Sequence, residues 1–233
     1  VAWEIFYNYI PGNFNLKPLF LFFLELMEMW VFFIALLTAA YLLGSIPFGL
    51  LISQKVAKLD ITKAGSGNIG AANVAREVGL KWGIVTLLAD TLKGFIPVVF
   101  IHYLLGSSAE INEALKGMIG LAALLGHQFS IYNRFKGGKG VATCLGVFLA
   151  ISPISCLFCG MIFIIFVALW RYISLGSIVA SFAMPLFLYF MGHPNVIIIL
   201  SLIMSFLITF QHRANIRRLI QGNERRWQKS TLQ

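Results

Sequence analysis

Between Trp30 and Phe210 the chain is a succession of apolar runs, most of them about the length of a bilayer-spanning helix and separated by short polar loops. A helix needs about 20 apolar residues to cross a bilayer core, with about 17–25 the usual range. The expected spans are Trp30–Ile52, Trp82–Leu105, Ala114–Ile131, Val141–Ile151, Ile154–Trp170, Tyr172–Met191 and Val196–Phe210. With 59% hydrophobic residues and a mean hydropathy of +0.84, an ordinary soluble domain is excluded. So are a disordered chain, a collagen-like repeat and a disulfide scaffold, the last because only Cys144, Cys156 and Cys159 are present, all within apolar runs. Cys156-x-x-Cys159 has no second pair and no nearby His, so a packing role is expected rather than a metal or redox site.

The stretch Val141–Trp170 is too long for one straight span and carries Ser152-Pro153 in its middle. Proline lacks an N–H and biases the preceding residue away from helix. Charge decides between one crossing and two. If the chain crosses twice, every Lys and Arg outside the spans except Lys17 and Lys116 falls on one side. If it crosses once, Arg171 and the basic tail from Arg213 to Lys229 are moved to the opposite side, against the positive-inside tendency. The expectation is an all-α polytopic membrane protein with seven transmembrane helices, the N-terminus outside and the C-terminus cytoplasmic. The fourth span, Val141–Ile151, is short and calls for tilt, local thinning or a start within a cytoplasmic loop. Residues 1–28 read as an extension without a basic leader region, with Met27 or Met29 as a candidate natural start, and 29–233 as one membrane-embedded domain whose tail begins near 211.

The polar interruptions carry the chemistry. They are Gly44-Ser45-Ile46-Pro47, the loop Gly65–Arg76, Asp90-x-x-Lys93-Gly94, Gly126-His127, Phe135–Thr143, Arg171–Ser177 and His212-x-x-Asn215-x-x-Arg218. In the seven-span arrangement all lie on or near the cytoplasmic face. The Gly65–Arg76 loop combines small residues that let backbone N–H groups approach a ligand, Asn side chains that brace turns, and a fork-shaped cation in Arg76, which is anion-binding chemistry. Gly137–Gly140 has the same character around Lys139 and precedes a helix, although it is not a nucleotide P-loop. The plainer alternative for either loop is turn punctuation between helices. Asp90 and Lys93 share a helix face inside a span, either as a self-neutralising pair or as the lining of a polar cavity. Gly44–Pro47 also reads as a kink or close-packing point, His127 as a helix-end cap, and the tail arginines as a lipid-headgroup contact.

These motifs, in this order over about residues 29–226, resemble the bacterial membrane-embedded glycerol-3-phosphate acyltransferases that use acyl phosphate, the PlsY family. The resemblance implies transfer of a fatty acyl group from acyl phosphate to the 1-hydroxyl of sn-glycerol 3-phosphate at the cytoplasmic face of the bacterial inner membrane. The products are 1-acyl-sn-glycerol 3-phosphate and phosphate, in the first step of phospholipid synthesis. It implies that Ser66, Asn68, Gly70 and Asn73 shape the donor-phosphate pocket and that Gly138 and Gly140 flank Lys139. Arg76 and Lys139 supply charge to both phosphates, and Ser177, His212 and Asn215 orient the acceptor. The sequence departs from the family at Ala72, where Thr is common, and Gly176 is another place where it differs. No His with an Asp five residues on and no Gly-x-Ser-x-Gly elbow is present, so direct attack without an acyl-enzyme is expected. The base is then a substrate phosphate or His212. No cofactor, metal, nucleic acid or obligate protein partner is expected; the partners are the two substrates and membrane lipids. The rival classes are a transporter for a phosphorylated metabolite, which uses the same loops as a vestibule, and a non-catalytic lipid-binding scaffold, which leaves the two phosphate-type loops unexplained.

Overall fold

The computed structural model describes residues 17–105 and 110–227, and all its regular structure is helical. In chain order the helices are α1 (Lys17–Ser45), α2 (Phe48–Ala57), α3 (Ala71–Glu77), α4 (Leu80–Leu105), α5 (Glu110–Gln128), α6 (Val141–Ile151), α7 (Pro153–Trp170), α8 (Ile173–Phe190), α9 (Asn195–Gln211) and α10 (Arg213–Ile220). Short 3₁₀ turns stand at Ile61–Lys63 and Ile131–Asn133. The part of the N-terminal extension before residue 17 lies outside the described residues. From Lys17 onward the helix enters the bundle without a break, so residues 17–28 are continuous with the first apolar run.

The expected first span, Trp30–Ile52, lies within one apolar stretch, Leu19–Ala57, that is long enough to cross, and the helix is interrupted inside it, stopping at Ser45 and restarting at Phe48. Pro47 has no N–H to continue the ladder and holds its predecessor off helical geometry. The count of spans is also coarser than seven. Five helices are long and apolar enough to cross, and a sixth is counted if α9 and α10, which meet at 62°, are taken as one broken span. At 11 residues α6 rises only about 16 Å, half the hydrocarbon core. It is nevertheless a separate helix from α7. The Sγ of Cys156 on α7 lies 3.6 Å from the carbonyl oxygen of Leu145 on α6, residues that one straight helix would hold about 16 Å apart. The chain therefore folds back at Ser152-Pro153.

Small residues let the helices approach backbone to backbone, as is usual where apolar burial does not distinguish protein from lipid. On the α1–α5 pair a Cβ at Gly44 would fall on the backbone of Ala123, and one at Gly126 on the carbonyl of Tyr41. On α4–α6 Gly94 lies against Thr143 and Gly146 against Thr91. Val98, Ile119, Leu124, Val147, Phe148 and Met204 form the core between these pairs, while large apolar side chains on the outer faces stay exposed, as lipid contact requires. A smaller core of Ile61, Ile69 and Val74 fastens the 58–78 segment over one end of the bundle. At that end the chain order brings together the starts of α4, α6 and α8 and the ends of α5, α7 and α9.

Candidate active site

Ser66, Asn68, Gly70, Asn73 and Arg76 meet Lys139, Gly140, Ser177, His212 and Asn215 around one cavity of about 340 Å³ at this end. The loop at residues 65–70 is built on Asn73. Its Oδ1 accepts the Ser66 N–H at 2.9 Å, and its Nδ2 donates to the carbonyls of Asn68 (2.9 Å), Ala64 (3.1 Å) and Ile61 (3.3 Å). Fully engaged and 2% exposed, this amide braces the loop. Asn68 Oδ1 accepts the Gly70 N–H at 2.8 Å, closing the turn that opens α3 and carries Arg76 one helix length further on.

The second loop rests on the end of α5. The Gly138 N–H donates to the His127 carbonyl at 3.0 Å, and Gln128 Nε2 donates to the Lys139 carbonyl at 3.0 Å. Gly138 is buried behind the cavity wall, against the His127 ring, where a Cβ would fall on Nε2. Gly140 starts α6 at φ +84°, a left-handed geometry that glycine adopts without penalty. So held, Lys139 points its Nζ at Asn215 Oδ1, 2.5 Å away.

Asn215 faces two ways. Its Nδ2 donates to Glu224 Oε1 at 2.6 Å, which Ser174 Oγ also reaches at 2.9 Å, and Arg218 Nε holds Oε2 at 2.8 Å. Glu224 is thus the carboxylate that Asn215, Ser174 and Arg218 hold beside Lys139, and the site-residue reading of the sequence missed it. It lies beyond the end of α10 in a charged tail, with no periodicity or glycine signal to single it out. The tail arginines are also used within the protein: Arg225 donates to the Gly65 carbonyl at 3.0 Å, and Arg226 stacks its guanidinium over Tyr172. The Trp227 N–H reaches the Arg171 carbonyl at 2.6 Å, and the Trp227 ring lies under Arg76, so residues 223–227 strap the two sides of the cavity together.

Burial pushes the Lys139 ammonium down to about 8; the Glu224 carboxylate raises it, while Arg218 and Arg76 press it lower. Burial raises Glu224, but the donors Asn215, Arg218 and Ser174 more than offset this and hold it below the usual carboxylate range. His212 is 2% exposed with Nδ1 2.8 Å from the Ile208 carbonyl. A carbonyl only accepts, so Nδ1 carries a proton; burial and the nearby Lys139 lower the ring to about 4, so it is neutral and keeps a lone pair on Nε2. Ser177 Oγ is turned back to the Ile173 carbonyl at 2.9 Å. No group of three or more His, Cys, Asp or Glu with metal-holding geometry occurs among the described residues.

Deeper in, the cavity becomes apolar. Leu145 and Phe148 of α6, Phe163 of α7 and Met184 of α8 line it, together with Cys144, Cys156 and Cys159.

A family model for glycerol-3-phosphate acyltransferase matches residues 34–222. The glycerol-3-phosphate acyltransferase of Trichlorobacter lovleyi is 48% identical over 198 residues, covering 85% of this chain and 97% of that one. The one from Aquifex aeolicus is 43% identical over 189 residues, covering 81% and 95%. Crystal structures of PlsY, an integral membrane glycerol 3-phosphate acyltransferase, in its glycerol 3-phosphate and lysophosphatidic acid forms, align at 40% identity with TM-scores of 0.79 and 0.77 over 84% of this chain. The chain belongs to the glycerol-3-phosphate acyltransferase family and is an integral membrane enzyme of the PlsY type.

Proposed function

We propose that this enzyme transfers a fatty acyl group from acyl phosphate directly to the 1-hydroxyl of sn-glycerol 3-phosphate, releasing phosphate and 1-acyl-sn-glycerol 3-phosphate. The observation that carries this reading is the two-part cavity. Its cationic end, with Arg76, Lys139 and Arg218, suits two phosphate-bearing substrates, and its apolar chamber between α6, α7 and α8 suits the acyl chain. The glycerol oxygen attacks the acyl carbonyl carbon, the bond from that carbon to the phosphate oxygen breaks, and phosphate leaves. The hydroxyl proton passes to a phosphate oxygen of the substrate or to the free Nε2 of His212. The leaving group is good, so positioning and charge supply most of the acceleration.

In this reading Ser66, Asn68, Gly70 and the Asn73-braced loop form the donor-phosphate wall. Arg76 and Lys139 neutralise phosphate charge, Gly138 and Gly140 let the backbone approach, and Ser177, His212 and Asn215 orient the acceptor. The same reading places the site at the cytoplasmic face of the bacterial inner membrane. It takes α6 as a short seventh crossing, with the N-terminus outside and a single catalytic domain. The expected partners are acyl phosphate, glycerol 3-phosphate and lipid, with no protein required.

Purified protein given acyl phosphate and glycerol 3-phosphate is expected to release phosphate and lysophosphatidate in equal amounts. Rapid quench is expected to find no protein-bound acyl group. A trapped acyl-enzyme would overturn direct transfer, and substrate flux across vesicles without product would favour a transporter.

A further inference from the structure

Glycine in a helix interior is less favourable than alanine, because it gives up more backbone freedom on folding and packs no side chain. Among the described residues every other glycine has a local reason: its backbone stands at positive φ, or a Cβ there would come within 3.0 Å of a neighbouring atom. Gly160, in the interior of α7, has neither. A Cβ at this position would meet nothing within 4 Å.

Gly160 borders the apolar chamber. Together with Cys156, Cys159 and Phe163 it lines the cavity, and spacings of three, four and seven residues make these one stripe along α7. Leu157, Met161, Ile164 and Ile165 are exposed on the side of the helix that meets lipid. At about 100° of turn per residue, Gly160 stands about 40° from Cys156 on one side and about 40° from Ile164 on the other. It is therefore at the edge of the chamber wall, where the wall gives way to the lipid face. Cys156, one turn away, places its Sγ 3.6 Å from the Leu145 carbonyl, so this edge faces α6.

The deep end of the chamber is closed. Phe148, Cys156 and Met184 are 2%, 3% and 7% exposed, and Phe148 is eight residues beyond Gly140, about 12 Å along α6. An extended palmitoyl chain is longer than that. Leu145 of α6 lines the same cavity and is 37% exposed, so the α6 wall also reaches the lipid face.

We propose that Gly160 is a specificity-determining residue: the side chain it lacks leaves a gap between α7 and α6 through which the distal part of a long acyl chain passes out of the chamber toward lipid. This position then sets the acyl length that the enzyme accepts. The assignment rests on the acyl-phosphate reaction proposed above.

The test is acyl transfer to glycerol 3-phosphate in lipid nanodiscs, with palmitoyl phosphate and octanoyl phosphate as donors. Product from neither donor in the wild type would defeat the acyl-phosphate reaction, and this assignment with it. In an active wild type, Gly160→Leu should lower kcat/KM for palmitoyl phosphate by about 10–200-fold, the range that one methylene commands in an apolar pocket. Turnover of octanoyl phosphate and KM for glycerol 3-phosphate should change little, and that turnover also reports that the variant is folded. Gly160→Ala adds a methyl group that meets no neighbour, so it keeps the fold and should shift the donor ratio the same way by a smaller factor. Leu157→Phe, on the lipid face of the same helix, should leave the ratio as in the wild type. An unchanged ratio in either Gly160 variant, equal losses for the two donors, or the same shift in Leu157→Phe would overturn the assignment while leaving the reaction itself standing.

Discussion

Lys139 offers a direct test, because its ionisation separates catalysis from stability. The ammonium is depressed from 10.5 to about 8 by burial, which Glu224 only partly offsets. If the charge on Lys139 neutralises substrate phosphate, kcat/KM, which reports the free enzyme, must fall above about pH 8, by about tenfold for each further pH unit. The stability contribution of the same group has the opposite sign. Its folded value is lowered, so between about 8 and 10.5 the unfolded chain holds a proton that the folded chain has released, and stability from this group rises with pH across that window. Falling activity with a steady or rising unfolding temperature therefore cannot be attributed to loss of fold. Lys139→Arg should abolish the limb, since a guanidinium keeps its proton above pH 12 or so, even though the altered reach toward Asn215 lowers the plateau. Glu224→Gln should move the limb to lower pH by removing the charge that supports the ammonium. The assay is phosphate release at subsaturating acyl phosphate over pH 6–10, paired with thermal unfolding in detergent. A limb near pH 8 that persists in Lys139→Arg would refute the reasoning.

Other substitutions probe the supports of the site. Gly138→Ala puts a methyl group on a ring that Lys93 holds in place, so the loop must give way; a shift of about 1 Å in Lys139 is expected to lower kcat about 10²-fold, with little change in unfolding temperature. Glu224→Gln exchanges an acceptor for a donor facing Arg218, Asn215 or Ser174, and leaves at least one of them unpaired. Thermal unfolding should report destabilisation of about 1–3 kcal/mol. Gly146→Val wedges side-chain atoms against the Thr91 carbonyl in the α4–α6 contact, and about 1–3 kcal/mol or more of overpacking should appear as a lower unfolding temperature.

How far the sequence discloses this site depends on the kind of signal each residue carries. The two glycine loops, Gly65–Arg76 and Gly137–Gly140, are legible because glycines and a cation sit close together where the apolar runs are interrupted. The reversal between α6 and α7 is legible twice over, from Ser152-Pro153 and from the one-sidedness of the basic residues. The break in the first span was under-read. Gly44-Ser45-Ile46-Pro47 suggests a kink, but only its partner explains its use: the Ile46 carbonyl, out of the helix ladder, accepts from the Lys93 ammonium 47 residues further along the chain as well as from the Phe48 N–H. Partnership at that range leaves no local pattern.

Glu224 is the sharper case. Its chemistry is ordinary for a tail carboxylate until the turn after α10 lays it against Asn215, Arg218 and Ser174. The three donors come from two helices, and one of them, Ser174, lies 50 residues away. From sequence, the surrounding arginines read equally well as a lipid-headgroup contact or, for Arg218, as part of a cluster with His212 and Asn215. In the folded protein Arg218 and Arg225 turn inward to the carboxylate and to the Gly65 carbonyl. A site that gathers Arg76, Lys139, Arg218 and Arg225 is strongly cationic, and like charges at short range oppose its assembly. One internal carboxylate, fixed by hydrogen bonds behind Asn215, offsets part of that repulsion while leaving Lys139 on the cavity side of the amide. The residue least visible in the pattern is thus the one that lets the visible cations be held together.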